Sequence, residues 1–104
     1  MKNALTPLPY LVEARLVALG KRVAIARKAR YWTQADLASR AGVGLNSIVN
    51  IERGASTVQI GYWALVLWAL GLLDGLDGIA LLKDDQEGLE LIKERLPRRA
   101  RGAA

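Results

Sequence analysis

The fold is decided by the stretch TQADLASRAGVGLNSIVNIERG, residues 33–54, which contains two short helical segments separated by a turn. Thr33 and Asp36 have the spacing of a capping box, in which each side chain accepts a hydrogen bond from the other residue's backbone amide. Gly42 suits the left-handed backbone position at which this first helix ends. The second helix covers residues 45–53, ends at Gly54 and has one apolar side, formed by Ile48 and Ile51. Two short helices joined by a glycine-containing turn predict a helix-turn-helix unit.

The segments on either side supply further helices. A helix from Tyr10 to about Arg30 has apolar residues at spacings of three and four, namely Leu16, Leu19, Val23 and Ala26. Gly20 leaves open whether this is one helix or two helices with a break at that position. A later helix over about residues 59–70 carries Ile60, Trp63, Leu67 and Leu70, and it is apolar around most of its circumference. Such a helix should be buried on more than one side.

The C-terminal third is also predicted to be helical. Asp74 or Asp77 can cap a short helix whose apolar residues are Leu76, Ile79, Ala80, Leu81 and Leu82. Residues 88–96 fit a helix through the spacing of Leu89, Ile92 and Leu96, whereas Leu89-Glu90-Leu91 alternates like a strand. We favour the helix, which Pro97 would end.

These patterns predict an all-α protein in three parts: an N-terminal extension over residues 1–18, a helix-turn-helix domain over 19–72, and a helical extension with a flexible basic tail over 73–104. A chain of 104 residues has room for one small core. The apolar stretch from Ile60 to Leu73 is shorter than the ~20 residues of a membrane span. No secretory signal follows Met1, so we expect a soluble, cytoplasmic protein.

Charge and composition narrow the function. The formal net charge is +5, and residues 1–30 hold seven basic residues and one acidic residue. This balance favours a polyanion as the partner, most plausibly nucleic acid. The chain has no histidine and no cysteine, which removes the commonest general base and the commonest metal ligands. We therefore expect a protein that is not an enzyme and needs no metal or cofactor.

One buried ion pair is predicted from the helical patterns. Arg27 follows Ala26 on the edge of the apolar face of the first helix, where a long cation needs a partner. Glu52 lies next to Ile51 on the inward side of the second helix of the 33–54 unit. We expect Arg27 and Glu52 to pair and to fix the geometry between these helices.

Several motifs at consistent spacing resemble the XRE or lambda-repressor-like family. They lie between Leu19 and Gly54 and comprise Arg27-Lys28-Ala29-Arg30, Thr33-Gln34, Leu37-Ala38, Ala41-Gly42-Val43 and Ile51-Glu52-Arg53-Gly54. The resemblance implies a five-helix domain that binds double-stranded DNA as a homodimer and usually represses transcription. In that family's docking mode, the second helix of the unit enters the major groove.

The resemblance places the expected base contacts at Leu45, Asn46, Val49 and Asn50. Asn46 and Asn50 are one turn apart, and each amide could bind adenine with two hydrogen bonds. This helix has no arginine or lysine before Arg53, which predicts readout weighted towards A·T pairs or partly indirect readout. The expected phosphate contacts are Gln34, Ser47, Arg53, Arg40 and Arg30.

The surplus apolar surface of residues 60–82 predicts a dimer with a twofold axis. We expect its interface at Tyr62, Val66, Trp68, Leu72, Leu76 and Ile79. Trp63 and Trp68 fit either the core or this interface. The basic residues Arg98, Arg99 and Arg101 fit either a solubilising tail or an arm that reaches DNA.

A narrower resemblance points to HipB-like antitoxins, which repress their own operon and bind a HipA-like kinase toxin. It depends on Val58-Gln59-Ile60-Gly61-Tyr62-Trp63, Leu70-Gly71-Leu72-Leu73-Asp74 and Arg95-Leu96-Pro97-Arg98-Arg99. The alternative is a protein-interaction module that restrains a partner through residues 58–96, with little or no specific DNA binding.

Overall fold

A computed structural model describes residues 7–96, and the secondary structure of this part is entirely helical. Five α-helices follow one another: α1 (Tyr10–Ala29), α2 (Gln34–Ala41), α3 (Leu45–Arg53), α4 (Ile60–Leu70) and α5 (Gln86–Arg95). Two short 3-10 helices, Leu73–Gly78 and Leu82–Asp84, lie between α4 and α5. The predicted all-α class is confirmed. The basic tail at residues 98–101 lies outside the described residues.

Helix α1 is one continuous helix, so the break considered at Gly20 is absent. Gly20 has another role, because α1 passes very close to the end of α3 at this residue. A Cβ atom at Gly20 would lie 2.5 Å from the carbonyl oxygen of Ile51 and 2.7 Å from that of Glu52. The glycine is therefore required by packing between two backbones, and it does not end a helix.

The same contact between α1 and α3 depends on a second glycine. Gly54 ends α3 with a left-handed backbone conformation, φ 76°. A Cβ atom at Gly54 would lie 2.5 Å from the Cα atom of Val17 in α1. Helix α1 is thus held against the C-terminal half of α3 at two positions that accept no side chain.

The capping box predicted at the start of α2 is present. The Asp36 backbone amide donates to Thr33 Oγ1 at 3.0 Å, and the Thr33 amide donates to Asp36 Oδ2 at 2.8 Å. The hydrogen bond from the Thr33 backbone amide lowers the pKa of the Asp36 carboxyl group, because it stabilises the charged form. Gly42 ends α2 in the left-handed conformation that the sequence predicted, φ 72°.

The core is formed by residues from α1 to α4. Its buried apolar side chains are Val23, Leu37, Ala38, Ala41, Ile48, Ile51, Trp63, Val66 and Leu70. Leu19 and Ala26 of the predicted α1 face pack against this cluster. In α4 the buried residues are Trp63, Val66 and Leu70, whereas Ile60 is exposed. Because Val66 is completely buried within its own domain, its assignment to a dimer interface was wrong.

Contacts along the backbone divide the chain into two compact units, with the boundary between Leu73 and Asp74. The second unit has α5 over residues where strand was the alternative, and Asp85 caps it by accepting from the Gly88 amide at 2.9 Å. The short helix expected around residues 76–82 is replaced by two 3-10 helices on either side of Ala80, whose φ is 60°. A left-handed residue at this point prevents a continuous α-helix.

Candidate nucleic-acid interface

Helix α3 presents a polar face on the side opposite the core. Its buried residues are Ile48 and Ile51. With 100° of rotation per residue, Asn46, Asn50 and Arg53 stand on the opposite side of the helix. Asn46 and Arg53 are exposed, and Asn50 is partly exposed. Three side chains with hydrogen-bonding groups are therefore grouped on one outward face.

The remaining residues expected at this interface flank that face. Leu45 is 49% exposed and begins the helix, and Val49 lies one turn later on the same flank. Ser47 is partly exposed on the other flank. Gly44 precedes the helix with an extended backbone and no side-chain cap, and a Cβ atom at this position would meet nothing within 4 Å. The first turn of α3 is thus open to a ligand.

Arg53 and Asn50 are linked on the exposed face. Arg53 Nη2 donates a hydrogen bond to Asn50 Oδ1 at 3.1 Å. The two residues are three apart in the helix, so their side chains can meet across one turn. The sequence predicted a phosphate contact for Arg53 and a base contact for Asn50, but it did not predict the hydrogen bond between them.

A second polar cluster connects α3 to α1 and α2. Arg27 donates to Glu52 through Nε at 2.6 Å and through Nη2 at 3.0 Å, with the geometry of a two-point ion pair. Both side chains are about nine-tenths buried. The hydrogen bond and the charge of Glu52 raise the pKa of Arg27. The expected ion pair is therefore present between α1 and α3.

This cluster also fixes the start of α2. Arg27 Nη1 donates to the Trp32 carbonyl oxygen at 2.8 Å, and Gln34 Nε2 donates to Glu52 Oε1 at 3.0 Å. Glu52 thus accepts hydrogen bonds from a residue of α1 and from the first residue of α2. Because Glu52 belongs to α3, one carboxylate sets the position of both other helices relative to the exposed face. The sequence predicted the ion pair but not the participation of Gln34.

Arg30 connects α1 to the end of α4. It donates from Nη1 to the Ala26 carbonyl oxygen at 2.7 Å and from Nη2 to the Leu70 carbonyl oxygen at 2.8 Å. The side chain therefore caps the last carbonyl group of α4. Arg30 thus has a structural role that the sequence did not predict, and its phosphate contact stays a prediction.

Arg40, an expected phosphate contact, stacks on an aromatic ring within the protein. Its guanidinium carbon lies 4.1 Å from the centre of the Trp32 ring, at the distance of a cation–π contact. Arg30 approaches the same ring at 5.9 Å. The two arginines and Trp32 were not linked by the sequence analysis, since they are up to ten residues apart and no helical spacing relates them.

A family model matches the part of the chain that contains all of these contacts. Residues 18–77, more than half of the chain, match a model described as a helix-turn-helix domain. The chain belongs to the XRE-like helix-turn-helix family. It is also 47% identical over 53 residues to an uncharacterized HTH-type transcriptional regulator, y4mF, of Sinorhizobium fredii; the match spans 51% of this chain and 70% of that protein. No solved structure gives a significant match.

In helix-turn-helix terms, α2 is the first helix of the unit and α3 is the recognition helix.

The matched residues extend through α4, which has an exposed apolar side. Tyr62, Leu65, Trp68 and Leu72 are between 39% and 59% exposed on this side. Leu65 was not among the expected interface residues, although its spacing of three from Tyr62 and Trp68 would have identified it. In the second unit, Leu76 is partly exposed and Ile79 is exposed.

Within residues 7–96, no group of three or more histidine, cysteine, aspartate or glutamate side chains is placed to hold a metal ion. No helix of the same range has the length and apolar character needed to cross a membrane.

Proposed function

We propose that this helix-turn-helix protein is a transcriptional repressor that binds a pseudo-palindromic operator as a homodimer. The observation that supports this proposal best is the exposed face of α3, which groups Asn46, Asn50 and Arg53 opposite a fully packed core. Leu45 and Val49 flank this face and can contact thymine methyl groups. The main determinants of sequence would therefore lie on one short helix.

Phosphate contacts would hold the helix in the groove. Gln34 is a candidate because Nε2 uses one hydrogen for Glu52 and has a second that can reach a phosphate oxygen. Ser47 and the open first turn of α3 are further candidates. Arg53 completes this set. Arg40 is a further candidate, because a guanidinium group stacked on an aromatic ring keeps its in-plane N–H groups available to a phosphate.

General attraction to DNA would come from the first unit. Residues 7–73 contain eight basic and three acidic residues, and Arg15, Lys21, Arg22 and Lys28 lie exposed on α1. Such an excess of cations predicts binding that weakens steeply with salt, because each phosphate contact releases a counterion.

The test is binding to an operator selected from random DNA, measured by fluorescence anisotropy at several salt concentrations. Asn46→Ala should weaken binding to the selected operator by about tenfold, as expected for a lost base contact. Lys83→Ala is a matched control, since Lys83 is an exposed cation of the second unit that pairs with Asp84. Affinity for DNA that does not change between low and physiological salt would refute the proposal.

The homodimer is proposed from the apolar side of α4. Four large apolar side chains are exposed to solvent in the protomer, namely Tyr62, Leu65, Trp68 and Leu72. A second copy related by a twofold axis beside α4 would bury them. Such a dimer would place two recognition helices about 34 Å apart, in successive major grooves. The interface would thereby set the spacing of the half-sites.

Sedimentation tests this interface. The parent protein should be dimeric at micromolar concentration, and Trp68→Glu should be monomeric because it places a charge in an apolar contact. Ile25→Glu is the control, as Ile25 is an equally exposed apolar residue on α1. A monomeric parent, even with operator DNA present, would contradict the dimer.

A second candidate function is suggested by the second unit. Residues 74–96 carry seven acidic and three basic residues and contain no buried side chain among those described. Leu91, Ile92 and Leu96 are 44%, 45% and 53% exposed. We propose that this surface binds a protein partner, for which the HipB-like resemblance suggests a HipA-like kinase.

This candidate is tested by co-purification with a kinase encoded beside the gene. Leu91→Glu with Ile92→Glu should abolish co-purification while DNA binding is retained. Retention of the kinase by this double variant, or the absence of such a gene, would count against the antitoxin function. It would leave the repressor as the simpler conclusion.

A further inference from the structure

We propose that Arg53 is a positioning residue that orients the Asn50 amide so that Asn50 recognises guanine. This inference rests on the proposed DNA-binding function and specifies the base that one residue of the recognition helix reads. It replaces the expectation that Asn50 binds adenine with two hydrogen bonds.

The geometry that carries the proposal is the hydrogen bond from Arg53 Nη2 to Asn50 Oδ1, 3.1 Å long. A side-chain amide is planar, with its oxygen and its nitrogen on opposite sides of Cγ. Because the oxygen of Asn50 faces Arg53 at the C-terminal end of α3, the NH₂ group is directed away from Arg53. The face that Asn50 offers to a ligand is therefore a hydrogen-bond donor.

The edges of the bases differ in what they can accept from such a group. In the major groove, guanine presents two acceptors, N7 and O6, whereas adenine presents the acceptor N7 and the donor N6. An asparagine binds adenine well only when its oxygen is free to accept from N6. Here one lone pair of that oxygen already accepts from Arg53, and the adjacent cation makes a second donor such as N6 an unfavourable neighbour. The pair of Arg53 and Asn50 therefore presents mainly donors to a base and favours guanine.

The position of Arg53 supports an indirect role. It lies in the last turn of α3, before Gly54, and the N-terminal half of a recognition helix is the part that contacts bases most directly. From this position the guanidinium group reaches back one turn to Asn50. Its other N–H groups can bind phosphate at the same time. The absence of arginine and lysine from residues 45–52 thus does not exclude guanine recognition.

The experiment compares the base preference of four proteins at the base pair that Asn50 contacts. That pair is identified as the position at which Asn50→Ala relaxes the preference of the selected operator. We expect the parent to prefer G·C over A·T there by about tenfold. Arg53→Ala should reduce this ratio to about threefold or less, because the freed amide can rotate and accept from adenine N6. Arg53→Lys should restore the preference, since its ammonium group can donate to the same oxygen.

A second variant tests the donor itself. Asn50→Asp keeps an acceptor for Arg53 but removes the NH₂ group, so the preference for guanine should be lost. Lys83→Ala is the control for charge: it removes an exposed cation from the second unit and should leave the base preference unchanged. Thermal unfolding followed by circular dichroism verifies that each variant is folded.

Two results would overturn the proposal while leaving DNA binding intact. One is a parent preference for A·T at this position. The other is an Arg53→Ala variant that binds all sequences more weakly by the same factor, which would make Arg53 a phosphate contact only. A parent that binds all DNA sequences equally would overturn the proposed sequence-specific function as well, and this outcome is distinct from the other two.

Discussion

The two units of the chain differ in how their helices are stabilised. Residues 7–73 contain every buried side chain of the described structure, including nine apolar residues and Arg27. Residues 74–96 contain none, although they form one α-helix, one complete 3-10 helix and most of another. The first unit folds around its own core, whereas the second depends mainly on local hydrogen bonds such as the Asp85 cap.

This difference has a functional consequence. A helix of ten residues is only marginally stable in water without packing, so α5 would gain most from contact with another surface. The recognition helix α3 is one residue shorter, but two glycine contacts and a buried ion pair hold it. The part proposed to read DNA is thus preorganised, and the part proposed to bind protein is not. Preorganisation reduces the entropy that binding must overcome.

The largest expected effect concerns the contact between α1 and α3. Gly20→Ala would place a Cβ atom 2.5 Å from the Ile51 carbonyl oxygen, and backbone atoms cannot move aside as a flexible side chain can. We expect a loss of about 3 kcal/mol in the free energy of unfolding, measured by urea denaturation.

Gly61→Ala is the matched control for this change. It lies within α4, and a Cβ atom at this position would meet nothing within 4 Å. Alanine has the higher helix propensity, so the variant should be as stable as the parent or more stable by up to ~1 kcal/mol. Equal stability of the two variants would show that α1 can move away from α3, and the preorganisation argued above would be lost.

The next effect concerns the buried ion pair. Glu52→Gln keeps the size of the side chain but leaves the Arg27 charge uncompensated in a site that is nine-tenths buried. We expect a loss of about 2 kcal/mol in the free energy of unfolding, since a buried charge loses its partner. Arg27→Met with Glu52→Gln should recover part of this loss. A double variant that is less stable than either single variant would contradict that interpretation.

The sequence predicted those features that depend on local spacing. The capping box of Thr33 and Asp36 needs only a separation of three residues, and α1 follows from its apolar period. The ion pair of Arg27 and Glu52 was predicted because each residue lies beside a buried apolar neighbour. In each case the pattern within each helix was enough, even though the ion pair joins two helices.

Other contacts between distant segments were not predictable in this way. The spacing in α4 fits Ile60, Trp63, Leu67 and Leu70 almost as well as the observed buried set, because the helix is apolar on nearly all sides. Val66 was therefore assigned to the wrong surface. Arg30 reaches the end of α4 across 40 residues of sequence, and no local pattern indicates that contact.

A smaller effect is expected at the start of α2. Thr33→Ala removes the oxygen that accepts from the Asp36 amide and should cost about 1 kcal/mol. Asp36→Asn tests the other half of the capping box through pH. The pKa of Asp36 is lowered in the folded protein, so its contribution is present above the pKa of the unfolded chain and is lost as pH falls through the folded value.

Urea denaturation at several pH values measures this dependence. The difference in stability between the parent and Asp36→Asn should be constant near neutral pH and should shrink in acid. The asparagine variant lacks a charge to titrate at this position. A difference that grows in acid would mean that the carboxylate is not stabilised by the Thr33 amide.

The smallest effect is expected in the second unit, and it tests the comparison of the two units most directly. Leu91→Ala removes a side chain that is 44% exposed, so the free energy of unfolding of an isolated protomer should change by less than about 0.5 kcal/mol. Ile48→Ala, at a position that is 0% exposed, should cost about 3 kcal/mol in the same assay. Amide hydrogen exchange should agree, with faster exchange in α5 than in α3 because α5 can open without disturbing the core. If Leu91→Ala instead costs as much as a core substitution, and if this cost depends on protein concentration, a second copy of the chain buries α5 and the C-terminal unit belongs to the dimer.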